Sequence, residues 1–226
     1  MCEKIKTIIS PDDLVCMNKY AGACHFRVEL AYARIDNLLF GERIYRSDAA
    51  LYLHRDLADV VRAAARHCFE AHNLRFVLYD GLRTYEAQER MMETRRVKDN
   101  PNWLEEPRLL SPPGSGGHPR GMAIDIGLET LEGKLLDMGT PFDYLAENPA
   151  PEHNPAHRLY QNHPDEVYRN RAILDEAIAF GSTGLGVPIF PLPQEWWDYR
   201  LPVDVFSQYA PLHEGDLYDD MKLLDV

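Results

Sequence analysis

The stretch LHRDLADVVRAAARHCFEAHNLRFVLYDGLRTYEAQER, residues 53–90, decides how the chain is built. Leu53, Leu57, Val60, Val61, Ala64, Ala65, Cys68 and Phe69 recur at the spacing that lines one face of an α-helix, and Asn73 is well suited to stop that helix. RFVLY (75–79) follows as a short apolar run of strand length, and Asp80-Gly81 breaks it. A second helix is predicted next, with Thr84 as its cap and Glu86 and Arg90 four apart on its surface. Arg83 is thereby set at a strand-to-helix junction.

Outward from this stretch, PNWLEEPRLLSPPGSGG (101–117) is rich in Pro, Gly and Ser and reads as a loop that delivers the chain to His118. MAIDIGL (122–128) reads as a strand, with Glu132-Gly133 turning it into a second arm over 134–138. Pro164-Asp165 opens a helix predicted to run through Phe180, with Gly181 as its C-cap. A Gly- and Pro-rich loop over 181–193 then leads into QEWWDYRL (194–201). With no internal repeat and no long linker, the expectation is an α+β fold: one domain over 1–226, with a mainly antiparallel sheet flanked by helices.

Composition narrows the function classes. Hydrophobic residues make up 45% of the chain and charged residues 27%, a balance that builds a packed core. Lys and Arg number 24 against 36 Asp and Glu, a net charge of −12 with no basic run, so nucleic acid is not an expected partner. Part of that surplus is the tail, where Glu214, Asp216, Asp219, Asp220 and Asp225 read as solvated surface. MCEKIKTIIS carries no apolar stretch of signal-peptide length, and no segment approaches the ~20 apolar residues of a membrane span, so the expectation is a soluble, cytoplasmic protein with no membrane partner. Cys2, Cys16, Cys24 and Cys68 lack Cys-x-x-Cys spacing and read as reduced thiols. Nothing in the sequence sets the oligomeric state.

Three places could carry chemistry. His118 leaves a Gly-rich loop and Asp125 follows inside an apolar strand, where a carboxylate among Ile124, Ile126 and Leu128 must be paired or metal-bound if buried; the alternative is an Asp facing solvent and a plain loop His. Glu195 and Asp198 flank Trp196-Trp197, a setting in which apolar walls exclude water and raise a carboxylate's pKa towards that of a working base. Ordinary Trp packing with outward-facing acids is the alternative there. Arg83 could offer donors to a developing oxyanion, or simply pair with Asp80. GSTGLG (181–186) follows a helix and GSGG (114–117) lacks the Lys-Ser/Thr of a phosphate loop, so neither signals a nucleotide. His153, His157 and His163 read as solvated loop residues.

The segments ARIDNLLFG (33–41), LYDGLR (78–83), GGHPRGMAID (116–125), DMGTPFD (137–143), NRAILDEAI (170–178) and QEWWDYRL (194–201) occur in one order along nearly the whole chain. Together they make it resemble the D-alanyl-D-alanine dipeptidase family, the VanX-type zinc peptidases. The resemblance implies a hydrolase that splits D-Ala-D-Ala with one Zn²⁺, and it assigns His118 and Asp125 as metal ligands through the His-x6-Asp motif. It further implies Glu195 as general base and acid, Arg83 as the group that steadies the tetrahedral intermediate, and Asp143 as the acid that receives the substrate's ammonium group.

Two departures bear on that expectation. Where the family has its third zinc ligand, a His three residues after the Glu, this chain has Asp198. A carboxylate binds Zn²⁺ at ~2.0–2.2 Å, but an oxygen-richer, more negative set makes manganese or another divalent ion more competitive. The alternatives are that His213 or His25 completes the set instead. Where the family has a Ser two residues before the metal-binding His, in contact with the substrate carboxylate, this chain has Gly116, with Ser115 adjacent as a substitute. Thr84 also stands where the family usually has Pro. The leading expectation is a metallo-dipeptidase with a small dipeptide substrate. A D,D- or L,D-carboxypeptidase acting on peptidoglycan peptides is one rival, and a metal-free, non-catalytic binder, supported by Asp198, is the other.

Overall fold

The computed structural model describes residues 6–105 and 110–225, so Cys2 and part of the 101–117 loop lie outside the described residues. In chain order the elements are β1 (Leu14–Cys16), β2 (Phe26–Val28), β3 (Tyr52–His54), α1 (Arg55–His72), β4 (Leu74–Asp80), α2 (Tyr85–Met92), α3 (Arg95–Asp99), β5 (Ala123–Thr130), α4 (Asp165–Leu185), β6 (Phe190–Pro191), β7 (Asp198–Arg200) and α5 (Val203–Phe206). Five strands form the main sheet in the order β2-β4-β5-β7-β6, with β2 and β4 parallel and every other pair antiparallel. β1 and β3 make a separate antiparallel pair. The fold is α+β, as the sequence predicts.

α1 owes its stability to packing more than to its ends. Its stripe of Leu57, Ala58, Val60, Val61, Ala64, Ala65 and Cys68 is buried, and each fully buried Leu or Val contributes about 1.5–3 kcal/mol. The N-cap contact, His54 Nδ1 accepting from the Asp56 amide, is long at 3.4 Å, and even a good cap supplies only about 1 kcal/mol. Asn73 ends the helix in the left-handed conformation, φ 56°. Leu53, which fits the helical period, belongs instead to β3, and Phe69 is only half-buried, its ring stacked on His25 with centroids 3.7 Å apart.

α4 corrects one sequence expectation. It does not stop at Gly181 but runs on to Leu185 and is capped by left-handed Gly186. Gly181 has a different use: a Cβ there would lie 2.6 Å from the Val60 carbonyl oxygen, so the missing side chain is what lets α4 close on α1. The two helices pack on each other and against β4 and β5. Phe76, Leu78, Ile124, Ile126 and Leu128 are fully buried on those strands. Tyr199 of β7, which pairs with Ile124, donates its hydroxyl to Asp175 of α4 at 2.6 Å. Alternation along β5 therefore sends Asp125 to the opposite face of the sheet, away from the helices.

The arm after β5 turns over Thr130–Gly133 but returns with a single bridge, Glu129 to Leu135, so it is shorter than the predicted hairpin. Most of the buried apolar residues form one contiguous core. Among the described residues, no helix is long and apolar enough to cross a membrane.

Candidate metal and substrate site

Strand register puts three carboxylates in one row on the sheet face turned away from α1 and α4. Asp80 of β4 lies opposite Asp125 of β5, and Asp125 lies opposite Asp198 of β7. Leu78 faces Ile126, so unbroken pairing would set Tyr79 opposite Asp125; a one-residue slip between Leu78 and Asp80 brings Asp80 there instead. All three carboxylates are at most 2% exposed. Charges this deep must be matched by cations, donors or a metal ion.

His118 enters this row from the short 3-10 turn His118–Arg120, just before β5. Its Nδ1 lies 2.7 Å from the Gly81 carbonyl oxygen, which makes Nδ1 the protonated donor and leaves Nε2 as the free ligand atom. Nε2 is 3.6 Å from Asp125 Oδ1 and 3.5 Å from Asp198 Oδ2. These separations are long for hydrogen bonds. They are close to the edge of a tetrahedron, about 3.4 Å, formed by ligands ~2.1 Å from a common ion. Asp125 Oδ1 is buried and has no hydrogen-bond partner. An orphaned carboxylate oxygen facing imidazole Nε2 suits a divalent cation that displaces the second proton of the ring.

Asp80, His118 and Asp125 form the group whose ligand atoms all lie within 4.8 Å of one another. Asp80 is nevertheless the weaker candidate ligand. Its Oδ2 accepts from Arg83 Nε and Nη2 at 2.9 and 2.8 Å, and its Oδ1 accepts from the Tyr45 hydroxyl at 3.0 Å. It also sits 3.6 Å from His118 Nδ1, on the side of the ring away from Nε2. Asp80 therefore orients Arg83 and supports His118 from behind.

Asp198 is held by Arg200, whose Nε donates to Oδ1 at 2.8 Å and whose Nη2 donates to Oδ2. A carboxylate has about four lone-pair sites, so this fork leaves Oδ2 able to face His118 as well. Arg200 also offsets the negative charge that Asp198 adds, which the ligand residues considered alone would leave unbalanced. Burial raises the Asp198 pKa, but Arg200 and His118 outweigh it and hold the carboxyl below its ordinary range. Burial likewise lowers the His118 pKa, but the Asp125 charge prevails against Arg83 and lifts the imidazole to about 10. Asp125 itself is raised, by burial first and by Asp198 and Asp80, with His118 opposing.

The row opens into a cavity of about 740 Å³ lined by Arg83, Ser115, Gly116, His118, Asp125, Asp143, Glu195, Asp198 and Arg200 among others. Glu195 is half-buried in its wall. Burial, then the charges of Asp198 and Asp125, push its pKa up to about 7 against the pull of Arg200 and His118. Such a carboxylate can both take and return a proton near neutral pH.

Asp143 is presented from a loop and adopts φ 62°, a conformation uncommon outside glycine. The Trp pair anchors that loop: Trp196 Nε1 donates to Thr140 Oγ1 at 2.8 Å, and Trp197 meets the Phe142 ring edge-on at 5.5 Å. Phe142 in turn stacks on Tyr79 at 4.5 Å. Asp143 Oδ1 accepts from the Tyr32 hydroxyl at 2.9 Å, while Oδ2 is buried without a partner. Burial and the Asp125 charge raise its pKa well above the carboxylate range. The Arg83 guanidinium lies 5.1 Å from the Tyr32 ring centroid, which ties the two ends of this part of the cavity together.

Every site residue expected from the sequence lines this one cavity: Glu195, Arg83, Asp143, Ser115, Gly116, His118, Asp125 and Asp198. Asp125 faces the cavity and not solvent, and Arg83 both pairs with Asp80 and borders the cavity. His213 and His25, the alternative ligands, do not line it; His213 Nδ1 instead contacts Glu86 at 2.8 Å and His25 stacks on Phe69. His157 is 5% exposed, and His163 Nε2 lies 2.7 Å from the Pro155 carbonyl oxygen, so neither is the solvated loop residue expected. Glu214, expected on a solvated tail, accepts from Thr84 Oγ1 at 2.6 Å and from the Leu223 amide at 3.0 Å. Sequence reasoning missed Tyr32, Tyr45 and Arg200. Arg200 had a signal, two residues from Asp198 on a strand and hence on its face; the two tyrosines had none.

Comparison with known proteins places the chain in a family. A family model described as D-ala-D-ala dipeptidase, of the M15 peptidases, matches residues 17–215. The chain is 31% identical over 175 residues to the D-alanyl-D-alanine dipeptidase of Escherichia coli (strain K12), covering 77% of this chain and 78% of the relative. A solved L-Ala D-Glu endopeptidase of Serratia marcescens is similar at 15% identity with a TM-score of 0.38, covering 68% of this chain and 84% of that one. That likeness is too slight to carry an argument.

Proposed function

The chain belongs to the D-ala-D-ala dipeptidase family of peptidases, and from that premise we propose that residues 1–226 work as one catalytic unit that hydrolyses D-alanyl-D-alanine, or a similar D-configured dipeptide, to free amino acids in the cytoplasm. The observation that carries the proposal is the orphaned Asp125 Oδ1, 3.6 Å from His118 Nε2 in the cavity that also holds Glu195. His118, Asp125 and Asp198 are the residues that would hold one divalent ion, Zn²⁺ or a harder substitute such as Mn²⁺. When bound there, such an ion supplies Lewis-acid polarisation of the scissile carbonyl and makes water more acidic.

The chain's own groups do the rest. Glu195, with its pKa near 7, takes a proton from the attacking water and returns it to the leaving amine. Arg83 is held in place by two hydrogen bonds to Asp80, and its remaining donors meet the oxyanion as charge develops. Asp143 Oδ2 receives the substrate ammonium, an interaction that restores the carboxylate's negative charge in the bound state. Tyr32 keeps the other oxygen occupied, so that Oδ2 alone is offered.

The test is metal content of the protein purified without added metal, together with a ninhydrin assay of D-Ala-D-Ala cleavage before and after chelation. Near-stoichiometric metal and turnover lost on chelation are expected. Metal-free protein that neither zinc nor manganese activates would instead favour a non-catalytic binder. Cleavage of longer peptidoglycan peptides without the dipeptide would favour a carboxypeptidase.

A further inference from the structure

A dipeptide has two charged ends, and the cavity answers them unequally. Asp143 supplies an anion for the ammonium end. Two guanidinium groups border the cavity, those of Arg83 and Arg200. Arg83 lies against Tyr32, which is hydrogen-bonded to Asp143, so Arg83 belongs to the ammonium side. His118 is turned towards Asp125 and Asp198. Arg200 stands on β7, two residues along from Asp198, at the end of the row opposite Asp80 and its partner Arg83.

Its donors are divided. Nε and Nη2 are taken by Asp198, whereas Nη1 has no protein acceptor among the described residues. The side chain is 17% exposed, so this edge is open to the cavity. A Cβ placed on Gly116 would lie 3.9 Å from Nη1, which puts the open edge against the Ser115-Gly116 rim. Gly116 has φ 81° and no side chain, so it places no side chain of its own over Nη1. Arg200 is thus a guanidinium locked in orientation by one carboxylate and presenting its spare N–H groups to a second.

We infer that Arg200 binds the free α-carboxylate of the substrate and sets the requirement for an uncapped C-terminus. The inference rests on the dipeptidase reading above and deepens it. A carboxylate paired this way gains a charge-assisted contact that a C-terminal amide cannot make.

The experiment compares D-Ala-D-Ala with its C-terminal amide on the full-length chain loaded with zinc or manganese, in wild type, Arg200→Gln and Arg200→Lys, with metal content measured for each. The wild type is expected to favour the acid by roughly 10- to 100-fold in kcat/KM. Arg200→Gln should bring that ratio close to one, and Arg200→Lys should retain part of it. Because the ratio is taken within one variant, a general loss of activity or metal cancels. An acid preference of wild-type size in Arg200→Gln overturns the inference, as does a wild type that cleaves both equally. If the wild type cleaves neither, the hydrolase reading falls, and calorimetric titration of the same two ligands tests Arg200 by itself. A preference for the acid that vanishes in Arg200→Gln upholds it there; equal affinity, or binding of neither, overturns it.

Discussion

Replacing Glu195 by Gln removes a cavity carboxylate whose pKa stands at about 7 while leaving His118, Asp125 and Asp198 in place. On the acid side of the Glu195 pKa only the ionised fraction works, so kcat/KM should climb roughly tenfold for each pH unit up to that pKa. The sign follows from the role: a base works when deprotonated, so activity is lost as pH falls. A bound cation favours the carboxylate and draws the rising limb below pH 7, never above it. Glu195→Gln should lower turnover by about 10²- to 10⁴-fold, the usual contribution of general acid–base catalysis, and should flatten the limb in whatever activity is left. The assay is a pH–rate profile of D-Ala-D-Ala cleavage with metal content measured in parallel. A variant that keeps a tenth of wild-type turnover, or a residual activity with the same limb, would refute the assignment of the base.

Three further outcomes follow from the geometry. Because His118 is held protonated to about pH 10 by its carboxylate neighbours, binding of a divalent ion at neutral pH should release about one proton and tighten as pH rises; calorimetry in buffers of different ionisation enthalpy reads this directly, and zero release would contradict it. Asp143→Asn should raise KM for D-Ala-D-Ala by roughly 10- to 100-fold, the cost of a lost charged hydrogen bond, and should leave an N-acetylated dipeptide unaffected; equal losses on both substrates would remove Asp143 from ammonium recognition. Gly181→Val forces a branched side chain against the Val60 carbonyl, 2.6 Å from where the Cβ must sit, and should cost about 1–3 kcal/mol of stability through overpacking. A denaturation midpoint equal to wild type would show that the α1–α4 interface gives way more easily than its geometry suggests.

The local features of this protein were open to reading from the chain. A helical period depends on residues a few positions apart, so α1, the start of α4, β4 and β5 follow from sequence spacing. The motifs naming His118, Asp125, Glu195, Arg83 and Asp143 are likewise short strings, and all five residues converge on one cavity. Gly181 shows where such reading fails. A glycine near a helix end fits both a cap and a close packing contact, and only the position of Val60 on another helix decides between them.

The rest depended on segments far apart in sequence coming together. Tyr32 meets Asp143 across 111 residues, and Tyr45 meets Asp80 across 35. The row of Asp80, Asp125 and Asp198 exists because strands pair in one register and β4 slips by one residue. Asp198 read alone looks like a lost ligand and a surplus negative charge. Beside Arg200 it is a neutralised carboxylate turned towards His118. A residue's type and spacing are local properties, and so are the Arg200–Asp198 and Arg83–Asp80 pairings, whereas burial and the partners met across strands are set by whatever the folded chain brings against it.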